Sequence, residues 1–199
     1  MSSSVIHYTE VMTDTKILFI RHGETLENIA GEIQGQRPGR LSDKGRRQAA
    51  ACARILKLEK TVAVYTSDLR RAIESARIAV ETAGLTEAKP DIRLREQDCY
   101  RLAGRDKRAA FRAVLSRGAP PEETQAVVAF IEDALSRHAS QTVAAFTHFG
   151  PIYVVLHEYS NMDANDILRS VPPGAVVALS IDKNGLSARS VDVKEGEPF

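Results

Sequence analysis

A chain of 199 residues, 43% hydrophobic and 27% charged, has the length and apolar content of one ordinary folded domain with a sizeable core. That balance excludes disordered and collagen-like classes. The formal net charge of +1 gives no global reason to expect a nucleic-acid partner, so any preference for anions must come from local clustering.

Residues 1–15 have neither the basic start nor the long apolar core of a secretory signal, and no later run is apolar for long enough to cross a bilayer. A soluble, cytoplasmic protein is therefore expected, and the two cysteines, Cys52 and Cys99, suit a reducing compartment because they make no disulfide framework or zinc-finger spacing. Residues 1–14 read as a flexible tail that includes His7 and an alternative translation start at Met12; residues 15–199 read as a single domain.

The first strand is the apolar run Lys16-Ile17-Leu18-Phe19-Ile20, which ends abruptly at Arg21-His22-Gly23-Glu24-Thr25-Leu26-Glu27-Asn28. Ligands of open α/β sheets sit beyond the carboxyl ends of strands, which puts Arg21 and His22 at a binding edge. An arginine beside an imidazole suits a phosphate, although a strand followed by a polar turn accounts for these few residues equally well. Residues 29–40, rich in glycine and arginine and without periodicity, read as a surface loop. Ser42 then caps a helix reaching Leu58, with Ala49, Cys52, Ala53 and Leu56 on one face.

A second buried strand over 61–66 ends at Ser67-Asp68-Leu69-Arg70-Arg71-Ala72, where a helix begins whose amino end offers backbone donors to an anion. That helix runs to Ala83, with Leu69, Ile73, Ala76 and Val80 expected inward and Gly84 as its stop. Residues 92–96, after Pro90, read as a short strand leading into a polar loop. Between Arg101 and Arg117 lie Arg105, Lys107, Arg108 and Arg112, balanced only by Asp106; taken alone, this is the solvated face of a short helix. Residues 122–138 form an amphipathic helix with Val127, Phe130, Ile131, Ala134 and Leu135 inward and His138 meeting its carbonyl end.

A third buried strand over 142–147 ends at His148-Phe149-Gly150-Pro151 and leads into a helix reaching Tyr159, within which His157 is read as structural. A short helix over 163–171, a Pro172-Pro173-Gly174 turn, and strands over 176–181 and 188–193 flanking Lys183-Asn184-Gly185 complete the chain with a hairpin. Three strand ends thus deliver Arg21 with His22, Arg71, and His148, and the α/β rule gathers them on one edge of the sheet.

These motifs resemble those of the histidine phosphatase superfamily, which includes the phosphoglycerate mutases. The matching elements are Arg21-His22-Gly23-Glu24-Thr25 with Asn28, then Gln34-Gly35, then Leu41-Ser42 with Gly45 and Gln48-Ala49. They continue with Ser67, Leu69 and Arg71-Ala72, then Leu94 with Glu96, and finally Thr147-His148-Phe149-Gly150. Gln36 stands where an aromatic residue is usual and Phe149 where a small one is; for the stretch from Leu41 to Ala49 a helix-packing role is expected. The resemblance implies a phosphoglycerate mutase-like, three-layer α/β sandwich with a mostly parallel central sheet and helices on both faces. It also implies a short basic cap insertion at about 97–121, leaving a shallow, positively charged entrance that accepts bulky anions.

By the same resemblance His22 is the nucleophile of a phosphohistidine intermediate, Glu96 the general acid and base with Asp98 next in line, and His148 a catalytic and phosphate-binding partner. Arg21, Asn28 and Arg71 would complete the phosphate site, and Thr25, Gln34 and Phe149 would touch substrate; no metal or cofactor is called for. One ring nitrogen of His22 should donate to a carbonyl or carboxylate so that the other can attack, and nearby positive charge should lower its pKa. The expected activity is a metal-independent phosphomonoesterase acting on a phosphorylated small molecule or phosphoprotein, with no nucleic-acid or membrane partner and a homodimer left open. Two alternatives stand beside it. One is a phosphoglycerate mutase-type phosphotransferase, disfavoured by the short cap and by Glu27-Asn28 in place of Trp-Asn; the other is a silent phospho-ligand or protein-binding domain that keeps the pocket.

Overall fold

The computed structural model describes residues 15–98, 121–182 and 185–192. The expected tail over 1–14 with His7 and Met12, Cys99, the basic cluster from Arg101 to Arg117 and the tip of the hairpin at Lys183-Asn184 lie outside the described residues.

The four inner residues of β1 (Lys16–Arg21) are buried, as a strand covered on both faces requires. It runs parallel to β4 (Thr142–Thr147), Lys16 opposite Thr142 and Arg21 opposite Thr147. β4 in turn lies parallel to β2 (Ala63–Thr66), and β2 to β3 (Ala88–Pro90). On the other side of β1 come β5 (Val176–Asp182) and β6 (Gly185–Val191), each antiparallel to its predecessor. The sheet order among the described residues is β3-β2-β4-β1-β5-β6. The carboxyl ends of β1 to β4 and the amino end of β5 therefore share one edge, since Ile20 pairs with Val176.

Side chains alternate across the sheet with a period of two. Ile17, Phe19, Val143, Ala145, Val177 and Leu179 face α4 (Pro121–Arg137), α5 (Phe149–Tyr159) and α6 (Ala164–Ser170). Leu18, Ile20, Ala144, Phe146 and Ala178 face α2 (Asp43–Leu58) and α3 (Arg70–Ala83), while α1 (Leu26–Ile29) is a single turn after the first strand. Three layers result, as expected. Ser42 caps α2 by accepting from the Gly45 N–H, Gly84 ends α3 in the left-handed region at φ 72°, and the inward set expected on α4 is buried. No helix among the described residues is long and apolar enough to cross a membrane.

Four expectations change. Residues 92–96 are not a strand: β3 is Ala88–Pro90, and Ile92–Leu94 forms a 3-10 turn because the Asp91 carboxylate accepts from the Arg93 N–H, a local bond that competes with sheet pairing. On α3, Ile73 faces solvent and the buried stripe runs through Arg71, Ala72, Ser75, Ala76, Ala79, Val80 and Ala83; small residues there let α3 lie close to α2. β2 starts at Ala63, leaving Val62 exposed. The His138 ring does not meet the end of α4; its Nε2 lies 2.9 Å from the Tyr65 hydroxyl.

Candidate active site

His22 sits where the backbone is held from two sides. Its N–H donates to the Thr147 carbonyl at the end of β4 (2.9 Å), and its own carbonyl accepts from the Gly174 N–H ahead of β5 (3.1 Å). The ring is 2% exposed, with Nδ1 2.8 Å from the Gly23 carbonyl. A carbonyl can only accept and a guanidinium can only donate, so this bond and that from Arg71 Nε to His22 Nε2 (3.1 Å) demand the same tautomer: hydrogen on Nδ1, lone pair on Nε2. Burial and the charges of Arg71 and Arg21 hold the imidazole pKa well below 6.5, against the Gly23 hydrogen bond, so the lone pair is present at neutral pH.

Gly23 is required by close approach: a Cβ there would stand 2.2 Å from the Gly45 carbonyl oxygen, and one on Gly45 would stand 2.0 Å from that of Glu24. The turn after the strand is thus pressed onto the first turn of α2.

Arg71, from the first turn of α3, is 1% exposed. Its terminal nitrogens donate to the carbonyls of Gly35 (2.7 Å) and Arg37 (2.9 Å), while Nε reaches His22. Gly35, at φ 52°, turns its carbonyl to that bond in a conformation glycine adopts freely. The loop is braced by Gln34, whose amide donates to the Thr25 hydroxyl (2.8 Å).

Arg21 donates from Nη1 to the Val171 carbonyl, and its guanidinium carbon lies 5.5 Å from the Phe149 ring centroid. Burial lowers its pKa to about 10, Glu96 working against the shift and Arg71 adding to it; the group remains a cation at neutral pH. His148 is fully buried, 5.2 Å from His22 between ring centroids, with Nε2 2.8 Å from the Ser67 hydroxyl and a pKa driven well below 6.5 by burial and by Arg71. Two buried nitrogens of this cluster, Arg21 Nε and His148 Nδ1, find no partner among the described residues. A buried polar atom without a protein partner is one that a bound polar group or water can satisfy.

Glu96 lies beyond the 3-10 turn. Its Oε1 accepts from the Gly150 N–H at the start of α5 (2.9 Å) and from the Gln97 N–H (3.0 Å). A Cβ on Gly150 would stand 2.4 Å from that oxygen, which explains the glycine. Gln36, where the resembled motif usually has an aromatic residue, donates to the Glu96 carbonyl at 3.2 Å and ties the loop to the segment bearing the carboxylate.

Arg21, His22, Arg71 and His148 therefore converge as expected, and Glu96 is close enough to act on the charge of Arg21. Thr25 and Asn28 form a reciprocal cap on α1, Thr25 Oγ1 accepting from the Asn28 N–H and Asn28 Oδ1 from the Thr25 N–H. Gln34 is buried behind Thr25, Phe149 is buried against Arg21, and Asp98 is at the surface.

Sequence reading missed Ser67 as the partner of His148, and Ser75, whose hydroxyl accepts from the Gly23 N–H (3.1 Å). It also missed Gln48, whose side-chain oxygen accepts from the Glu24 N–H (2.9 Å), although the stretch from Leu41 to Ala49 had been singled out. No group of three or more histidine, cysteine, aspartate or glutamate side chains among the described residues is placed to hold a metal ion. The arrangement offers a phosphoryl group a nucleophilic nitrogen, two guanidinium cations, a second imidazole and a carboxylate.

The chain is similar to known proteins. The family model of the histidine phosphatase superfamily (branch 1) matches residues 17–194. A metal-independent phosphoserine phosphatase of Arabidopsis thaliana is 33% identical over 159 residues, 71% of this chain and 67% of that protein. A glucosyl-3-phosphoglycerate phosphatase of Mycobacterium tuberculosis is 39% identical over 85 residues, 43% of this chain and only 38% of that protein. Among solved structures, YhfR of Bacillus stearothermophilus superposes with a TM-score of 0.71 at 24% identity, covering 88% of this chain and 96% of that one. A phosphoglycerate mutase of Bacillus anthracis superposes with 0.68 at 19% identity, covering 90% and 93%. These structural matches carry the fold.

Proposed function

The chain belongs to the histidine phosphatase superfamily, and from that premise we propose that it is a metal-independent phosphomonoesterase working through a phosphohistidine on His22. The observation that carries the proposal is the doubly determined tautomer of His22, which leaves Nε2 as an unprotonated nitrogen inside a buried cluster of cations.

In the first step Nε2 attacks phosphorus, the bond from phosphorus to the ester oxygen breaks, and Glu96 gives its proton to that departing oxygen. In the second, water attacks the phosphohistidine, Glu96 takes a proton from the water, the N–P bond breaks, and inorganic phosphate leaves with His22 restored. Arg21, Arg71 and His148 stabilise the equatorial oxygens through both steps, the main catalytic need of a loose phosphoryl transition state. Guanidinium charge supplies what a metal supplies elsewhere. Arg71 Nε, which donates to the Nε2 lone pair, passes to a phosphoryl oxygen as the substrate enters.

Phosphoserine and glucosyl-3-phosphoglycerate, named for the relatives, are the first substrates to test, followed by phosphopeptides. The test is rapid mixing followed by intact-mass measurement, with released phosphate assayed in parallel. A phosphoryl adduct that maps to His22, decays as phosphate appears, and is absent from His22→Ala supports the proposal. Phosphate passing to a sugar acid instead of water would make the chain a phosphotransferase, and tight binding with no adduct would make it a binding domain.

A further inference from the structure

The nucleophile is held by a peptide group that is itself held. The carbonyl accepting from His22 Nδ1 belongs to Gly23, and the N–H of the same planar peptide unit belongs to Glu24. That N–H donates to Gln48 Oε1 at 2.9 Å, from the second turn of α2. Because the unit is rigid, fixing its N–H fixes the direction of its carbonyl, and an N–H engaged as donor makes the carbonyl oxygen a stronger acceptor.

Gln48 touches the other side of His22 as well. Its aliphatic stem packs on Gly174, where a Cβ would stand 3.0 Å from Gln48 Cβ, and the Gly174 N–H is the donor to the His22 carbonyl. One side chain thus abuts the peptide following the nucleophile and the residue bonded to the nucleophile's own carbonyl.

We infer that Gln48 is a positioning residue: by accepting from the Glu24 N–H it locks the Gly23 carbonyl onto His22 Nδ1 and so aims Nε2 at phosphorus. The inference rests on the phosphohistidine reading, and it goes beyond packing of α2, which an apolar side chain would serve equally well. Misaiming an attacking atom by about 1 Å can cost on the order of a hundredfold in rate.

The experiment compares Gln48→Met, which keeps the stem and removes the acceptor, with Gln48→Glu, which keeps an acceptor at the same reach. Single-turnover phosphorylation of His22 by p-nitrophenyl phosphate should slow about tenfold or more in Gln48→Met, with KM within about threefold of wild type, whereas Gln48→Glu should stay within about threefold in rate. In ligand-free protein with nitrogen-15 histidine, the Nδ1 proton should be protected from exchange in wild type and Gln48→Glu and exchange fast in Gln48→Met. Equal rates for Gln48→Met and wild type, or a Glu variant as slow as the Met variant, overturns the inference. If wild type forms no phosphohistidine, the functional reading fails, and the ring-proton comparison still decides whether Gln48 holds the imidazole. Should Gln48→Met not fold, unprotected exchange in a folded Gln48→Glu overturns the inference and retained protection supports it.

Discussion

Each charged or polar side chain of the pocket is set by a specific neighbour, and changing one group should leave a signature of its own. On the proposed mechanism, Glu96→Gln removes the transferable proton but keeps the size of the side chain. An alkyl phosphate, whose departing oxygen needs that proton, should then lose about 100-fold or more in rate, and an activated aryl phosphate less than about tenfold. Steady-state rates on the two ester types check this; equal losses would move the acid role to another group, Asp98 being the next acid along the chain. The two buried imidazoles have a consequence for stability. Their folded pKa values are held well below 6.5, so between those values and 6.5 the unfolded chain binds protons that the folded chain does not. Stability therefore falls as pH drops below about 6.5, by up to about 1.4 kcal/mol per pH unit for each imidazole. Urea unfolding at stepped pH should show this slope flattened in His148→Gln; an unchanged slope would mean that His148 takes up its proton in the folded protein.

At the level of elements, the pocket depends on backbones brought into contact. The amino end of α5 meets the segment after the 3-10 turn at Gly150, where an added methyl would stand 2.4 Å from the Glu96 carboxylate. Gly150→Ala should therefore reproduce the Glu96→Gln pattern, with alkyl phosphates suffering more than aryl ones, while the melting temperature changes little because the displaced group is a side-chain end. Gly45→Ala sets a methyl 2.0 Å from the Glu24 carbonyl oxygen, a backbone atom, and should lower both activity and melting temperature, by several degrees in a calorimetric scan. The sequence reveals β1, α2 and β4 because apolar runs and a serine cap act locally; it also reveals the closing hairpin, although Gly185, expected in the turn, pairs with Asp182 and the last strand starts there instead of at 188. It misleads at residues 92–96, where a β-rich composition is overruled by the Asp91 side chain, and on α3, where a stripe of alanines rather than Ile73 is buried against a neighbour the sequence cannot display. Arg21, His22, Arg71 and His148 were legible because each follows a recognisable strand end. Ser67, Ser75 and Gln48 were not assigned roles because a hydroxyl or amide acquires one only from what folding sets beside it.

Across the whole molecule, the pocket is made from segments far apart in the chain, so an occupant should stabilise all of them together. Orthovanadate, which adopts the five-coordinate geometry of the transferring phosphoryl group, should raise the melting temperature, by an amount equivalent to about 2.7 kcal/mol at a concentration 100 times its Kd. The shift should vanish in Arg71→Ala, whose parent side chain reaches both the loop and His22; a shift that persists there would place the anion elsewhere.

The strand order carries one more consequence, for synthesis on the ribosome. β1 emerges first yet occupies an inner position, and its two neighbours begin only at Thr142 and Val176. Until they have been translated, a nascent chain carries Ile17 to Ile20 with both hydrogen-bonding edges open, the kind of segment that chaperones shield and that aggregates when released early.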